Sequence, residues 1–310
     1  MMKNVNSPIF ISLETSAFSG ATLLSFLLGA HPQIATVGEM SGLITNANPD
    51  EYLCSCGKKI RCCEFWDSVK IAMANRGFEF DVARFDTQFS HGPGLIRRIR
   101  EIHLPNSVLD AMRDVVLFAV PGESQHAKAV VKRNVAFIES VLEVTGKDVF
   151  VDSSKGSVRL KALRRFSSSL DLRAIHLVRD VRGVTASELR RELSPGAAGS
   201  ARKWARLHRG IEAVLKTWPE ERYIRVRYED LCQDTERTLE RIYNFCGMNP
   251  DHRIKDFRAA SHHIVGGKMR LSSESEITLD ERWKIQLTPE QLKEIERVAG
   301  PVAHRYGYFN

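Results

Sequence analysis

The chain has 310 residues, 43% of them hydrophobic and 27% charged, which is enough to bury a large core, as one big domain or a domain plus an insertion, and excludes a disordered or fibrous chain. Lys and Arg number 45 against 38 Asp and Glu, a net charge of +7. That mild basic excess suits an anionic ligand, while the absence of any like-charged block or aromatic–basic repeat argues against a nucleic-acid platform.

Residues 1–7 are polar, and the apolar run that follows is broken by Ser12 and Glu14, so neither a signal peptide nor a membrane span is expected. The expectation is a soluble, cytoplasmic protein. Residues 9–13 form a short β-branched and aromatic run that reads as a buried strand. Residues 15–20 make a small polar turn ending in Gly20, and residues 22–28 read as an apolar helix stopped near Gly29 and Pro32. A strand, a glycine-bearing turn and a helix can cradle a phosphate, because the amides at the helix start are unpaired and the helix dipole is positive there. The nucleoside-triphosphate loop G-x-x-x-x-G-K-[ST] fits only at Gly20 and Thr22. Thr15 replaces the first Gly and Ala21 the Lys, which argues against ATP or GTP hydrolysis. An unliganded strand–turn–helix is the alternative for this stretch.

Residues 33–39 read as a second strand that delivers Glu39 to its end, where parallel sheets place ligand-binding groups. Residues 41–146 change character. Cys54, Cys56, Cys62 and Cys63 cluster ahead of Glu64, Phe65 and Trp66, and helical patterns follow over 67–75, 94–103, 107–120 and 123–144. This segment is expected to be a mostly helical insertion over the sheet edge. The cysteine spacing C-x-C-x5-C-C is not a standard zinc pattern, so thiols, a disulfide and zinc all stand. Strands are expected again at 148–152, 173–179 and 222–229, separated by helices at 158–166, 184–193, 201–217 and 235–246. Alternating strand and helix gives a parallel sheet covered on both faces.

Arg179 closes a predicted strand, and Ser187 follows eight residues later on the next helix. A guanidinium fork and a short hydroxyl so placed can converge on one phosphate; pairing of Arg179 with Asp180 or Glu188 is the structural alternative.

These stretches together resemble the 3′-phosphoadenylyl-sulfate (PAPS)-dependent sulfotransferases, notably the bacterial and protein-tyrosine branches. The family's first motif, a basic residue and Ser-Gly-[Ser/Thr]-Thr, is matched by Phe18, Ser19, Gly20, Ala21 and Thr22, with Leu23 behind them. Its second, for the 3′-phosphate, is matched by Arg179 and Ser187. Residues 30–32 with Gly38 and Glu39 resemble the segment whose Glu serves as base. Residues 151–155 (VDSSK) resemble the segment whose Lys155-equivalent reaches the reacting centre. Residues 227–231 (RYEDL), including Tyr228, resemble the family's last central strand. Residues 263–270 (HIVGGKMR), with Gly267, Lys268 and Arg270, resemble the C-terminal loop that closes on the 3′-phosphate, together with residues 280–283 (DERW).

The resemblance implies a P-loop-like, three-layer αβα fold in a single domain spanning 1–310, with about five parallel strands and residues 41–146 as the acceptor-site lid. It implies transfer of a sulfuryl group from PAPS to a hydroxyl or amine, without a metal. Glu39 is then the base and Lys155 the catalytic cation. The nucleotide would be held by Ser19, Gly20, Ala21, Thr22, Leu23, Arg179, Ser187, Tyr228, Gly267, Lys268 and Arg270. His31, His91 and His103 are reserve bases. The acceptor would be a small molecule, glycan or lipid. Phe18 departs from the family's Lys or Arg, which normally steadies the leaving oxygen, and Gly267 from its Asn. A non-catalytic nucleotide-binding protein and a P-loop kinase are the alternative functions.

Overall fold

The structure is a computed structural model that describes residues 7–43, 47–89, 94–102, 104, 106–120 and 122–309. The organising element is β1 (Ile9–Glu14), whose side chains alternate between two cores as the strand period of two requires. Phe10 points into one apolar cluster, while Ile11 and Leu13 point into the other. β3 (Val149–Asp152) repeats the pattern beside it: Phe150 joins Phe10, and Val149 and Val151 join Ile11.

Five parallel strands run in the order β2-β3-β1-β4-β5, with β2 at Ile34–Thr36, β4 at Asp171–Val178 and β5 at Tyr223–Arg227. The chain leaves β1 toward β2 on one side and later crosses to β4 on the other. The switch point therefore lies at the C-terminal end of β1, where open parallel sheets bind their ligands. Helices cover both faces, giving the three-layer αβα architecture expected from the sequence. On one face lie α1 (Ala21–Gly29) and α10 (Thr235–Cys246). On the other lies α5 (Glu123–Thr145), with α2 (Glu64–Asn75) against it. α1 is buried nearly all round, as its run of Leu and Phe demands. Each fully buried Leu or Phe there contributes roughly 1.5–3 kcal/mol over exposure.

Residues 41–146 are mostly helical, with α3 (Gly94–Glu101) and α4 (Ser107–Ala119) between α2 and α5. α6 (Val158–Phe166), α7 (Val181–Leu189) and α8 (Ala197–Leu215) follow. α7 starts three residues earlier than the sequence pattern, because Asp180 caps it by accepting from the Arg182 amide. β2 is shorter than 33–39: Gly38 turns at φ 77° and leaves Glu39 beyond the strand. The last strand stops at Arg227, and Tyr228 opens α9 (Tyr228–Gln233), whose first turn carries Glu229 and Asp230, where acids favour a helix start. Two C-terminal helices, α11 (Trp283–Gln286) and α12 (Pro289–Ala303), were not foreseen. Yet Thr288 and Gln291 form a capping box ahead of a Pro-initiated helix, a signal readable in the sequence. No helix among the described residues is long and apolar enough to cross a membrane.

Candidate nucleotide-binding and transfer site

The first intrahelical bond of α1 runs from the Leu24 amide to the Gly20 carbonyl at 3.0 Å. The amides of Ala21, Thr22 and Leu23 therefore precede the helical ladder, and no side chain caps them. They stand at the switch point as donors for an anion. Ser19 is buried, its hydroxyl 2.6 Å from that of Ser16, which stiffens the turn.

Gly20 sits at φ 86°, and a Cβ there would lie 2.5 Å from the Tyr228 ring. Tyr228 in turn carries the Arg179 guanidinium on its face, 4.5 Å from the ring centroid. Burial pushes the Tyr228 phenol up to about 12, so it remains a neutral platform at physiological pH. Gly20→Ala should therefore cost about 1–2 kcal/mol of stability from the left-handed backbone alone. It should also displace the Tyr228–Arg179 stack and weaken nucleotide binding more than its effect on melting explains. Thermal melting beside a nucleotide titration measures both.

Arg179 is 6% exposed and donates to the Phe18 carbonyl at 2.7 Å and to the Asp280 carbonyl at 2.9 Å. Its Nη2 also lies 3.2 Å from the Asp280 carboxylate. Arg282 chelates the same carboxylate at 2.7 and 2.8 Å, and these partners hold Asp280 well below the usual carboxylate range. Arg190 is lowered from its ordinary value, first by burial and then by Arg282 and Arg191 beside it. An arginine cluster thus surrounds one carboxylate. Ser187 is buried on α7, one turn beyond Gly183, where a Cβ would lie 3.0 Å from Arg179 Nε.

Phe18 adopts φ 61°, a conformation unusual for a bulky residue, with its carbonyl held by Arg179. Its ring lies under the guanidinium of Arg191, 4.6 Å from the centroid. A guanidinium from just beyond the end of α7 thus stands beside position 18, where the resemblance expects a Lys or Arg. Sequence reasoning missed Arg191; its position four residues after Ser187 was the available signal.

Glu39 and Lys155 meet in an ion pair at 2.5 Å, joining the ends of β2 and β3. Asp152 anchors the turn before Lys155: its carboxylate accepts from Ser154 at 2.6 Å, the Met40 amide at 3.1 Å and Arg159 at 2.7 Å. Glu14, fully buried at the end of β1, accepts from Ser12 at 2.7 Å and Ser157 at 2.6 Å. Burial raises its pKa above the ordinary 4.5, against the two serine hydroxyls, which lower it. A raised acid binds more protons folded than unfolded, so stability falls as pH rises from 4.5 through the folded pKa. Glu14→Gln removes that titration. Its melting temperature should gain on the wild type by a few degrees across the same window and then level off, as thermal melts over a pH series would show.

The closing loop is stitched down on the far side. The Val265 amide donates to the Val37 carbonyl at 2.8 Å, and the Gly266 amide to the Tyr52 hydroxyl at 2.9 Å. Gly267 packs so tightly that a Cβ would lie 3.0 Å from Thr22 Oγ1, so glycine lets the loop reach the helix start. Arg270 is buried and spends its donors on the carbonyls of Leu53, Gly266 and Gly267, while Lys268 is exposed. His31 is buried in contact with Tyr243 and the Asn249 carbonyl, away from this cluster; His91 and His103 lie outside the described residues. Cys54, Cys56 and Cys63 gather with His263 next to the closing loop, and Cys62 does not join them. A cavity of about 410 Å³ opens between α4, α5, α6 and α8, lined by Phe118, Leu117 and Trp218 with Asp110 and Lys161.

A sulfotransferase-family model matches residues 160–252, the segment that holds Arg179, Ser187 and Tyr228. The chain is 25% identical over 163 residues to mouse carbohydrate sulfotransferase 3, covering 45% of this chain and 34% of that protein. It is 26% identical over 196 residues to mouse carbohydrate sulfotransferase 5, covering 50% and 49%. The matches therefore span from about a third to about half of these relatives' length. Among solved structures, the sulfotransferase domain of the curacin biosynthetic pathway superposes with a TM-score of 0.53 at 18% identity, covering 96% of this chain and 98% of that one. The sulfotransferase domain of the Synechococcus PCC 7002 olefin synthase gives 0.54 at 18% identity with the same coverage. The matched segment, the curated relatives and the shared fold are all those of sulfotransferases, the proteins this chain resembles.

Proposed function

We propose that the chain moves a sulfuryl group from PAPS to a hydroxyl, with a carbohydrate hydroxyl as the favoured acceptor class. The observation that carries the donor is the Arg179 site: a buried guanidinium on an aromatic platform beside uncapped helix amides, already clasping a carboxylate in place of a phosphate. Two anion positions this close suit a nucleotide phosphorylated at both 5′ and 3′ ends. In this reading the amides of Ala21, Thr22 and Leu23 with Ser19 and Gly20 take the 5′-phosphosulfate, and Arg179 and Ser187 take the 3′-phosphate. Tyr228 supports Arg179, and Gly267, Lys268 and Arg270 form or hold the covering loop.

Transfer breaks the bond between sulfur and the bridging phosphate oxygen and makes one from sulfur to the acceptor oxygen. Glu39 takes the acceptor's proton, and Lys155 faces the charge that develops on the leaving oxygen. Glu39 and Lys155 are already in contact, so both can serve one reacting centre. The acceptor class rests on the names of the curated relatives. Residues 41–146, the part of the chain outside the sheet, would then cover the acceptor.

Calorimetric titration with 3′-phosphoadenosine 5′-phosphate (PAP), ATP and GTP tests the donor. Preferential binding of PAP is expected; equal or tighter binding of ATP overturns it. Radiolabelled PAPS then tests transfer to a panel of glycans, lipids and small hydroxylated acceptors. Binding of PAP without transfer to any of them would leave a nucleotide-binding protein.

A further inference from the structure

Cys54, Cys56 and Cys63 come from one short stretch, and His263 comes from 200 residues beyond Cys63. Their ligand atoms all lie within 4.8 Å of one another. Cys63 Sγ is 3.3 Å and Cys54 Sγ 3.7 Å from His263 Nδ1, and the Cys56 and Cys63 sulfurs are 3.6 Å apart. A tetrahedron with zinc–sulfur bonds near 2.3 Å and a zinc–nitrogen bond near 2.0–2.1 Å has S···S edges of about 3.8 Å and S···N edges of about 3.5 Å. The observed spacings approach those of a tetrahedral site. A disulfide would join only two of the sulfurs and would leave the third thiol and the imidazole unexplained.

The surroundings are those of a ligand shell. The Phe65 ring stacks on His263 at 4.3 Å and 7°, fixing its plane, and Ser261 Oγ lies 3.5 Å from the other ring nitrogen, Nε2. Cys63 is the N-cap residue of α2, at the positive end of that helix. Gly57 turns at φ 85° to bring the chain back, and the Cys54 amide bonds the Lys58 carbonyl at 2.9 Å. Three soft thiolates and an imidazole select zinc over hard cations.

We propose that Cys54, Cys56, Cys63 and His263 bind a structural zinc ion that staples the start of the helical segment to the loop at residues 263–270. His263 precedes Val265, Gly266 and Gly267, which the contacts with Val37, Tyr52 and Thr22 hold over the start of α1. The metal would clip together residues 200 apart in sequence, and because the entropic cost of loop closure grows with loop length, a clip across so long a loop stabilises more than one across a short loop. The loop's importance for nucleotide rests on the function proposed above; the metal site does not.

The test counts metal and needs no substrate. Protein purified under reducing conditions, stripped and refilled with Zn²⁺, should hold one zinc per chain by mass spectrometry of the metal. Refilled with Co²⁺, it should show the visible bands and thiolate charge transfer of a tetrahedral site. Cys62→Ser should keep the metal. Cys56→Ser, at an exposed ligand whose loss leaves the core intact, and His263→Ala should lose it while retaining the wild-type circular dichroism. Wild-type protein that takes up no stoichiometric zinc overturns the proposal, as does metal retained by Cys56→Ser but lost by Cys62→Ser. Stripping the zinc should speed hydrogen exchange at the Val265 and Gly266 amides; unchanged exchange there overturns the staple.

Discussion

Arg179→Ala is expected to weaken PAP binding by about ten- to a hundredfold while leaving affinity for adenosine 5′-phosphosulfate, which has no 3′-phosphate, nearly unchanged. A hydrogen bond to a charged group is worth roughly 1.5–3 kcal/mol, and each 1.4 kcal/mol is a factor of ten. Burial of the guanidinium and its seat on Tyr228 leave little freedom to compensate. In the free protein Arg179 already holds Asp280, so nucleotide must displace that carboxylate, and part of the gross attraction is spent there. Asp280→Asn should accordingly tighten PAP binding, since the competitor loses its charge while its shape remains. Calorimetry on both variants with both nucleotides measures this. Equal losses for the two ligands in Arg179→Ala would assign Arg179 to holding the Phe18 carbonyl and the loop, not to the 3′-phosphate.

The parts of this molecule that were legible in the sequence are those written in contiguous residues. β1, the turn to Gly20 and α1 lie within a single short stretch, and their apolar periodicity and glycine suffice to place them. The five parallel strands follow from alternation of strand and helix. Boundaries shifted where a local device intervened: Gly38 cut β2 short, and Asp180 started α7 early. α12 carried its own capping box and could have been read. What sequence alone did not give is long-range pairing of charges and ligands. Asp280 reaches Arg179 across 101 residues, Arg191 comes back over Phe18, and His263 completes a cluster that looked like four cysteines in a row. Nothing in local spacing encodes these partners, because the sheet topology brings them together.

Lys155→Ala is expected to lower turnover by about 10²–10³-fold, the scale for removing one donor aimed at developing oxyanion charge, with a much smaller change in donor affinity. The leaving oxygen gains most of its charge only in the transition state, so a cation facing it acts on kcat more than on binding. Lys155 has the geometry for this: it follows the end of β3, on a turn anchored by Asp152, and touches Glu39. Its loss also leaves Glu39 without its ion partner, so Glu39→Gln serves as the companion. That variant keeps the shape, loses the base and should reduce turnover with PAP affinity retained. Arg191 supplies the competing account, because its guanidinium covers Phe18, the position where the sulfotransferases this chain resembles carry a Lys or Arg. If Arg191→Ala lowers turnover more than Lys155→Ala does, the missing charge comes from α7 and the assignment to Lys155 is wrong. Phe18→Arg separates the two further. It should leave turnover unchanged or raised in the wild-type background, and it should restore Arg191→Ala if the lost function was charge at that point in the loop. Steady-state turnover with a working acceptor, set beside PAP titrations of each variant, measures all of these effects.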